Sequence, residues 1–149
     1  MSDKNNIIVK ITPDDLKFVP SRQSSSAAGL DLVANLDNQS LTIKSRTIEA
    51  VDVGFSMALP EGWEAQIRSR SGLSSRGIIV ANSPGTIDSD YRGRIKVLLA
   101  NISETDFVVK HGDRIAQMVV KPTYDLSWQI TNDLGTTFRG SEGFGSTGV

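Results

Sequence analysis

The chain has 149 residues, one domain's worth, and chains of this size bury roughly 68–70% of their unfolded surface. Its 16 Lys and Arg against 17 Asp and Glu leave a net charge of −1, so no general basic field points to nucleic acid or to an anionic membrane. There is no cysteine and a single histidine, His111, which excludes disulfides, thiolate nucleophiles and a multi-histidine zinc site within one chain.

In chain order, residues 1–6 lack the apolar run of a signal peptide. No stretch approaches the ~20 apolar residues of a membrane helix, so a soluble, cytoplasmic protein with no membrane or nucleic-acid partner is expected. Residues 7–11 read as a first β-branched strand that Thr12-Pro13 ends, and the polar run 21–26 as a loop. Residues 41–43, 48–53 and 55–59 alternate with the period of half-buried strands, Gly54 marking a bend or bulge, and 64–68 continue the pattern past the turn at Pro60-Glu61-Gly62. Residues 71–76 suit a short helix, with Gly77 as its stop.

Residues 78–81 and 95–99 are apolar strand patterns joined through Pro84-Gly85. Proline presets φ there and glycine supplies the positive φ of a type II turn, so a hairpin is expected. Residues 106–110 and 115–120 read as a further strand pair about His111-Gly112-Asp113. Many short strands with frequent turns predict an all-β, jelly-roll-type β-barrel with one short helix. After Asp133 the composition turns to Gly, Ser and Thr. The expected division is therefore a barrel, 1–133, and a flexible Gly-rich C-terminal arm, 134–149, mobile until something binds it.

Arginines gather inside glycine-bearing segments at Arg70, Arg92, Arg94, Arg114 and Arg139, which suits a compact polyanion such as a triphosphate. Arg70-Ser71-Gly72 offers a guanidinium fork, a hydroxyl and an approachable backbone, and reads equally as a capped helix start. Asp88 opens the returning strand, where a carboxylate adds little to a sheet but can accept a proton from attacking water, worth ~10²–10⁴ in rate. Asp90 shares its face on this reading, but reads as an exposed partner for Arg92 or Arg94 rather than as a catalytic group. Paired acids also suit glycoside hydrolysis, but the glycine-arginine segments would then have no use.

Asn82 carries a donor and an acceptor for a pyrimidine edge, with a strand-end Asn as the plainer reading, and Tyr91 reads plainly as a core tyrosine. Gln117 faces away from Ala116 and Met118 and can point into a site, whereas Asp113 and Arg114 read as a surface ion pair worth ~0–1 kcal/mol. Asp31 reads as a turn carboxylate capping nearby amides. The tail glycines form no P-loop, since no Gly-Lys-Ser/Thr ending is present. As a lid, the tail can stack Phe144 on a base at ~1–3 kcal/mol and exclude water from the site.

Five segments carry a family resemblance: Ala28-Gly29-Leu30-Asp31-Leu32; Arg70-Ser71-Gly72-Leu73; Gly85-Thr86-Ile87-Asp88-Ser89-Asp90-Tyr91-Arg92-Gly93; Gly112-Asp113-Arg114-Ile115-Ala116-Gln117; and Arg139-Gly140-Ser141-Glu142-Gly143-Phe144-Gly145-Ser146-Thr147-Gly148. In this order they resemble the five motifs of the trimeric deoxyuridine triphosphatases (dUTPases). The resemblance implies Mg²⁺-assisted hydrolysis of dUTP to dUMP and pyrophosphate, with water attacking the α-phosphorus. It implies Asp88 as general base, Gln117 beside the α-phosphate and the attacking water, and Asp31 on the water shell of a Mg²⁺ held mainly by substrate phosphates.

The same resemblance assigns Arg70, Ser71 and Gly72 to the phosphates, and Asn82, Gly85, Thr86 and Ile87 to the base. Tyr91 falls under the deoxyribose, where it leaves no room for a 2′-hydroxyl. Arg139, Phe144, Gly145, Ser146 and Thr147 form a lid over the base and γ-phosphate. A homotrimer with sites between subunits is implied as well. Ser74 stands where the family often has a small apolar residue. Two further readings stay open here: a dCTP deaminase, which shares fold and phosphate motifs but is not expected to carry the Phe-containing fifth motif, and a non-catalytic nucleotide-binding module.

Overall fold

The computed structural model describes residues 6–143. Ten strands run in the order β1 Lys10–Pro13, β2 Leu30–Val33, β3 Ser40–Ile43, β4 Ile48–Ala58, β5 Trp63–Arg68, β6 Ile78–Val80, β7 Gly85–Ile87, β8 Arg94–Asn101, β9 Phe107–Lys110 and β10 Arg114–Pro122. Among the described residues the one α-helix, α1, is Ser71–Ser74, and a 3₁₀ turn occupies Leu16–Phe18. One antiparallel sheet has the order β1-β4-β8-β6, a second β2-β10-β5-β7, and the pair β3-β9 forms a third. This is a jelly roll, in which successive strands leave one sheet for the other.

Alternation builds the core. Along β4, Val51, Val53, Phe55 and Met57 point inward, and along β8 Ile95, Val97 and Leu99 meet them from the neighbouring strand. Ala65 and Ile67 of β5 and Met118 of β10 supply the facing layer. Burial at ~25 cal/mol per Å² makes this two-sided apolar layer the main stabilising term. Gly54 has φ +82° inside β4, and the ladder to β8 slips between Asp52 and Ser56. The ring of Phe18 lies against the Gly54 backbone, in space that a Cβ would occupy, so the expected bulge is also a packing device.

Three sequence expectations change. The first strand lies at Lys10–Pro13 rather than 7–11, because its register sets Ile11 opposite Met57 and Pro13 opposite Phe55. Proline is tolerated at that terminal position of an edge strand. The second change is at Pro84-Gly85, which closes no type II hairpin: β6 does pair with β8, but the chain between them crosses to the other sheet, where β7 pairs with β5. Gly85 is buried in β7 opposite Ile67 and is absent from the positive-φ glycines. Its open side is taken by the Asn82 carboxamide, 3.1 Å from where a Cβ would stand.

The third concerns 106–110 and 115–120, which are strands but not partners. β9 pairs with β3, while β10 lies between β2 and β5. The turn between them is tied to the 34–39 connection instead, His111 N–H donating to Gln39 O at 3.0 Å and Gly112 N–H to Ala34 O at 2.8 Å. After Pro122 no further strand occurs among the described residues, and 123–142 are exposed. Among the described residues no helix is long and apolar enough to cross a membrane.

Candidate active site

The predicted site residues fall into two groups within one chain. The first is carried by the middle of the second sheet, where Asp31 of β2, Gln117 of β10 and Arg68 of β5 stand opposite one another in one row. A ladder slip between Arg114 and Ala116 turns both Ile115 and Ala116 inward, and Gln117 then points out of the core as expected. Its amide donates to Ser69 O at 2.9 Å, and its far oxygen lies against Gly29, where any side chain would overlap it. Gly29 is therefore required for the close approach of a side chain, not for a special backbone angle.

Asp31 is ringed by arginine. Arg70 Nε lies 3.4 Å from one oxygen and Arg114 Nη1 donates to the other at 3.2 Å. Arg70 Nη1 also donates to Arg114 O at 2.8 Å, which binds the start of α1 to β10. This overturns the expected Asp113–Arg114 pair: Asp113 accepts the Lys110 N–H at 2.8 Å and holds the turn, leaving Arg114 for Asp31. Ser71 and Gly72 are exposed on α1, whose N-cap is Arg70. A carboxylate has about four lone-pair sites, so Asp31 can hold both arginines and still accept from water. No group of three or more His, Cys, Asp or Glu positioned for a metal occurs among the described residues. A single carboxylate with lone pairs left for water would suit an ion that keeps most of its waters, as Mg²⁺ does.

The second group surrounds a cleft of about 440 Å³ lined by Thr86, Ile87, Asp88, Tyr91, Arg94 and Lys96. Asp88 lies just beyond the end of β7, in a turn closed by Tyr91 N–H donating to Asp88 O at 3.2 Å. Asp90 is in that turn too, so the two acids do not share a strand face as the sequence suggested. Tyr91 is 44% exposed, its ring lies over Gly93, and its hydroxyl donates to Arg94 O at 3.0 Å. It is not a core tyrosine. Asn82 is exposed, its carboxamide against Gly85, and is not one of the residues that line the cleft.

Sequence reading missed the ion cluster behind this turn. Arg94 donates to both oxygens of Asp14, at 2.7 and 2.6 Å, and to both of Asp52, at 3.1 and 2.7 Å. The Arg94 hydrogen bond holds the Asp14 carboxyl below its ordinary 3.8, and the bond to Asp14, with that to Asp52, pushes the guanidinium further up. Asp14 and Asp52 lie 80 and 42 residues from Arg94, so only the alternation of β4 could have hinted that Asp52 faces outward.

The two groups are apart. Gln117 is opposite Arg68, whereas Ile87 is opposite Ala65, three residues along β5 and one strand further out. At ~4.8 Å per strand and ~3.4 Å per residue, Ile87 lies about 14 Å from Gln117. Of the tail residues, Arg139 is exposed, with Nε donating to Glu142 O at 2.9 Å, and touches neither group. Phe144, Gly145, Ser146 and Thr147 lie outside the described residues.

The dUTPase family model matches residues 17–148. The deoxyuridine 5'-triphosphate nucleotidohydrolase of Rickettsia bellii is 52% identical over 132 residues, 88% of this chain and 87% of that protein. Its counterpart in Rickettsia prowazekii is 52% identical over 142 residues, 95% of each chain. Among solved structures, a variant of the Staphylococcus bacteriophage 80alpha dUTPase with dUpNHpp superposes with a TM-score of 0.83 at 20% identity, over 95% of this chain and 99% of that one. A dUTPase of the S. aureus phage phi11, described with a structural Mg(II) ion, gives a TM-score of 0.74 at 16% identity, over 87% of this chain and 99% of that one. At those identities the phage enzymes speak only for the jelly roll. The family model and the Rickettsia proteins, which run through the arginine-ringed Asp31 and the Asp88 turn alike, carry the assignment: this chain belongs to the dUTPase family.

Proposed function

We propose that the protein hydrolyses dUTP to dUMP and pyrophosphate, in the cytoplasm, where the reaction keeps uracil out of DNA and supplies dUMP. The observation that carries this reading is the cleft shared by Asp88 and Tyr91, with Thr86 and Ile87 at its edge. Asp88 takes a proton from water as the water oxygen attacks the α-phosphorus. The bond to the bridging oxygen breaks, and pyrophosphate leaves with that oxygen. Tyr91 stands under the deoxyribose and excludes a 2′-hydroxyl. The backbone of 85–87, with Asn82, reads the base. Arg70, Ser71 and Gly72 hold the phosphates, Gln117 orients the α-phosphate and the water, and Asp31 faces the waters of a phosphate-bound Mg²⁺. When bound, Mg²⁺ neutralises phosphate charge and favours departure of pyrophosphate. The 134–149 arm, through Arg139, Phe144, Gly145, Ser146 and Thr147, closes over the bound nucleotide.

Because the two groups stand about 14 Å apart at ordinary sheet spacings, we assign the complete site to a homotrimer in which one subunit supplies the Asp88 turn and a neighbour the Asp31, Arg70 and Gln117 row. An apolar stripe supports association: Tyr124, Leu126, Trp128 and Ile130 alternate along the segment after β10 and are 72–98% exposed, far more than a soluble monomer ordinarily leaves uncovered in one place. Scattering-derived mass near three times 16.1 kDa is expected. The deciding assay incubates the protein with Mg²⁺ and dUTP, dCTP, dTTP or UTP separately. Formation of dUMP and pyrophosphate from dUTP alone supports the reading, ammonia from dCTP would make it a deaminase, and binding of dUTP without turnover would leave a receptor site.

A further inference from the structure

We propose that Arg94 is a positioning residue for the reaction: clamped between Asp14 and Asp52, it fixes the turn that presents Asp88 and Tyr91 to the cleft. This rests on the proposed roles of those two residues. Arg94 lines the cleft and so invites a reading as a phosphate ligand, but an arginine has five N–H groups and four hydrogen bonds already run from this one to carboxylate oxygens. The guanidinium is committed to the fold.

The anchors are themselves held. Asn35 Nδ2 donates to Asp14 at 2.8 Å, Gly54 N–H donates to Asp52 Oδ1 at 2.6 Å, and Asp14 N–H donates to Gly54 O at 2.8 Å. The two carboxylates thus belong to the 3₁₀ entry and to the bulge of β4, which are packed through Phe18 on Gly54. On its other side Arg94 begins β8, and its carbonyl accepts the Tyr91 hydroxyl at 3.0 Å. Tyr91 N–H in turn closes the turn on Asp88 O at 3.2 Å. A rigid path therefore runs from β4 through Arg94 to the ring under the sugar and to the base. Loops on which chemistry depends need such support, because a ~1 Å misplacement costs about a hundredfold in rate. Lysine would not substitute, since three donors on one nitrogen cannot reproduce four hydrogen bonds spread over the guanidinium fork.

The test uses the full-length protein with Arg94→Ala, Arg94→Lys and Asp14→Asn, and with Arg46→Ala, an exposed partner of Glu104, as a control. Three quantities are read: kcat and KM on dUTP, the ratio of kcat/KM for dUTP to that for UTP, and amide exchange of residues 88–93 by hydrogen–deuterium mass spectrometry. The clamp predicts that both Arg94 variants lose kcat and sugar preference by about tenfold to a hundredfold, that Asp14→Asn follows in part, and that exchange in 88–93 accelerates selectively. Arg46→Ala changes none of these. Folded variants that melt earlier yet keep the dUTP-to-UTP ratio and the exchange of 88–93 would reduce Arg94 to a stabilising ion pair and overturn the proposal. Should Arg94→Ala not fold, Asp14→Asn decides by the same readouts. If the unaltered protein turned over no dUTP, the functional reading would fail separately, and the exchange data would still decide the clamp.

Discussion

Mixing two inactive variants distinguishes a site shared between subunits from one confined to a chain. Asp88→Asn removes a proton acceptor from an exposed turn and leaves stability within ~0.5 kcal/mol, while costing ~10²–10⁴ in kcat. Arg70→Ala removes a guanidinium that touches Asp31 and Arg114 O and forfeits its charge-assisted bonds to phosphate, ~1.5–3 kcal/mol apiece. Each variant alone forms only defective sites. If each site takes its Asp88 turn from one subunit and its Arg70 row from the next, random co-assembly gives a complete site when the first is the Arg70 variant and the second the Asp88 variant. That happens in about one quarter of sites in an equimolar cyclic assembly. Co-refolding the two variants, confirming mixed trimers by native mass spectrometry and assaying pyrophosphate release should therefore return about a quarter of the unaltered rate. Mixed trimers whose rate is only the mean of the two parents would refute the shared site.

Three further outcomes follow from single contacts. Gly29→Ala places a methyl against the Gln117 carboxamide and should lower kcat about tenfold to a hundredfold with a small change in melting, which steady-state kinetics beside calorimetry will show. Asn101 is 1% exposed, donates to Ile43 O and Thr105 O and accepts from Ser103. Asn101→Leu strands those groups and should cost about 3 kcal/mol, seen as a fall of roughly 10 °C in melting temperature. Asp14 has its folded-state pKa depressed below 3.8 by Arg94. Its contribution to stability is then complete above that value and is lost as pH falls through the lower folded value. Denaturant titrations below pH 4 should show a shallower acid loss in Asp14→Asn than in the unaltered chain.

The periodicity that made the strands legible did not reveal their partners. Alternation in 115–120 correctly set Ala116 and Met118 inside and Gln117 outside, because a strand's faces are a local property. Which strand lies alongside is decided by packing across the whole barrel, and turn residues report only that the chain reverses. His111-Gly112-Asp113 therefore looked like a hairpin tip, although it is a corner from β9 to β10 that bonds to the 34–39 connection. Pro84-Gly85 misled in the same way. Asp31 and Arg70 were legible as polar residues near glycines and Gln117 from its alternation with Ala116 and Met118, whereas the engagement of Asp31 by Arg114 required the register of β2 against β10.

The two halves of the site are held by different forces. Gln117 and Arg68 stand on inner strands whose ladder bonds fix the backbone on both sides, and Asp31, on the edge strand β2, is held by β10 on one side and by an isolated bridge to Ser21 on the other, so mutual geometry comes with the sheet. The Asp88 turn has no such ladder. Beyond the end of β7 it is closed by one backbone bond, by Arg92 Nη1 donating to Ser89 O and Tyr91 O at 2.6 and 2.9 Å, and by the Tyr91 hydroxyl on Arg94 O. A turn of this kind can adjust to a nucleotide as a strand cannot, which suits the half proposed to read base and sugar. It can also drift, and a charged side chain fixed to β4 limits that drift by holding the Tyr91 end of the turn. Arginine suits that place because its planar fork holds two carboxylates in register at once.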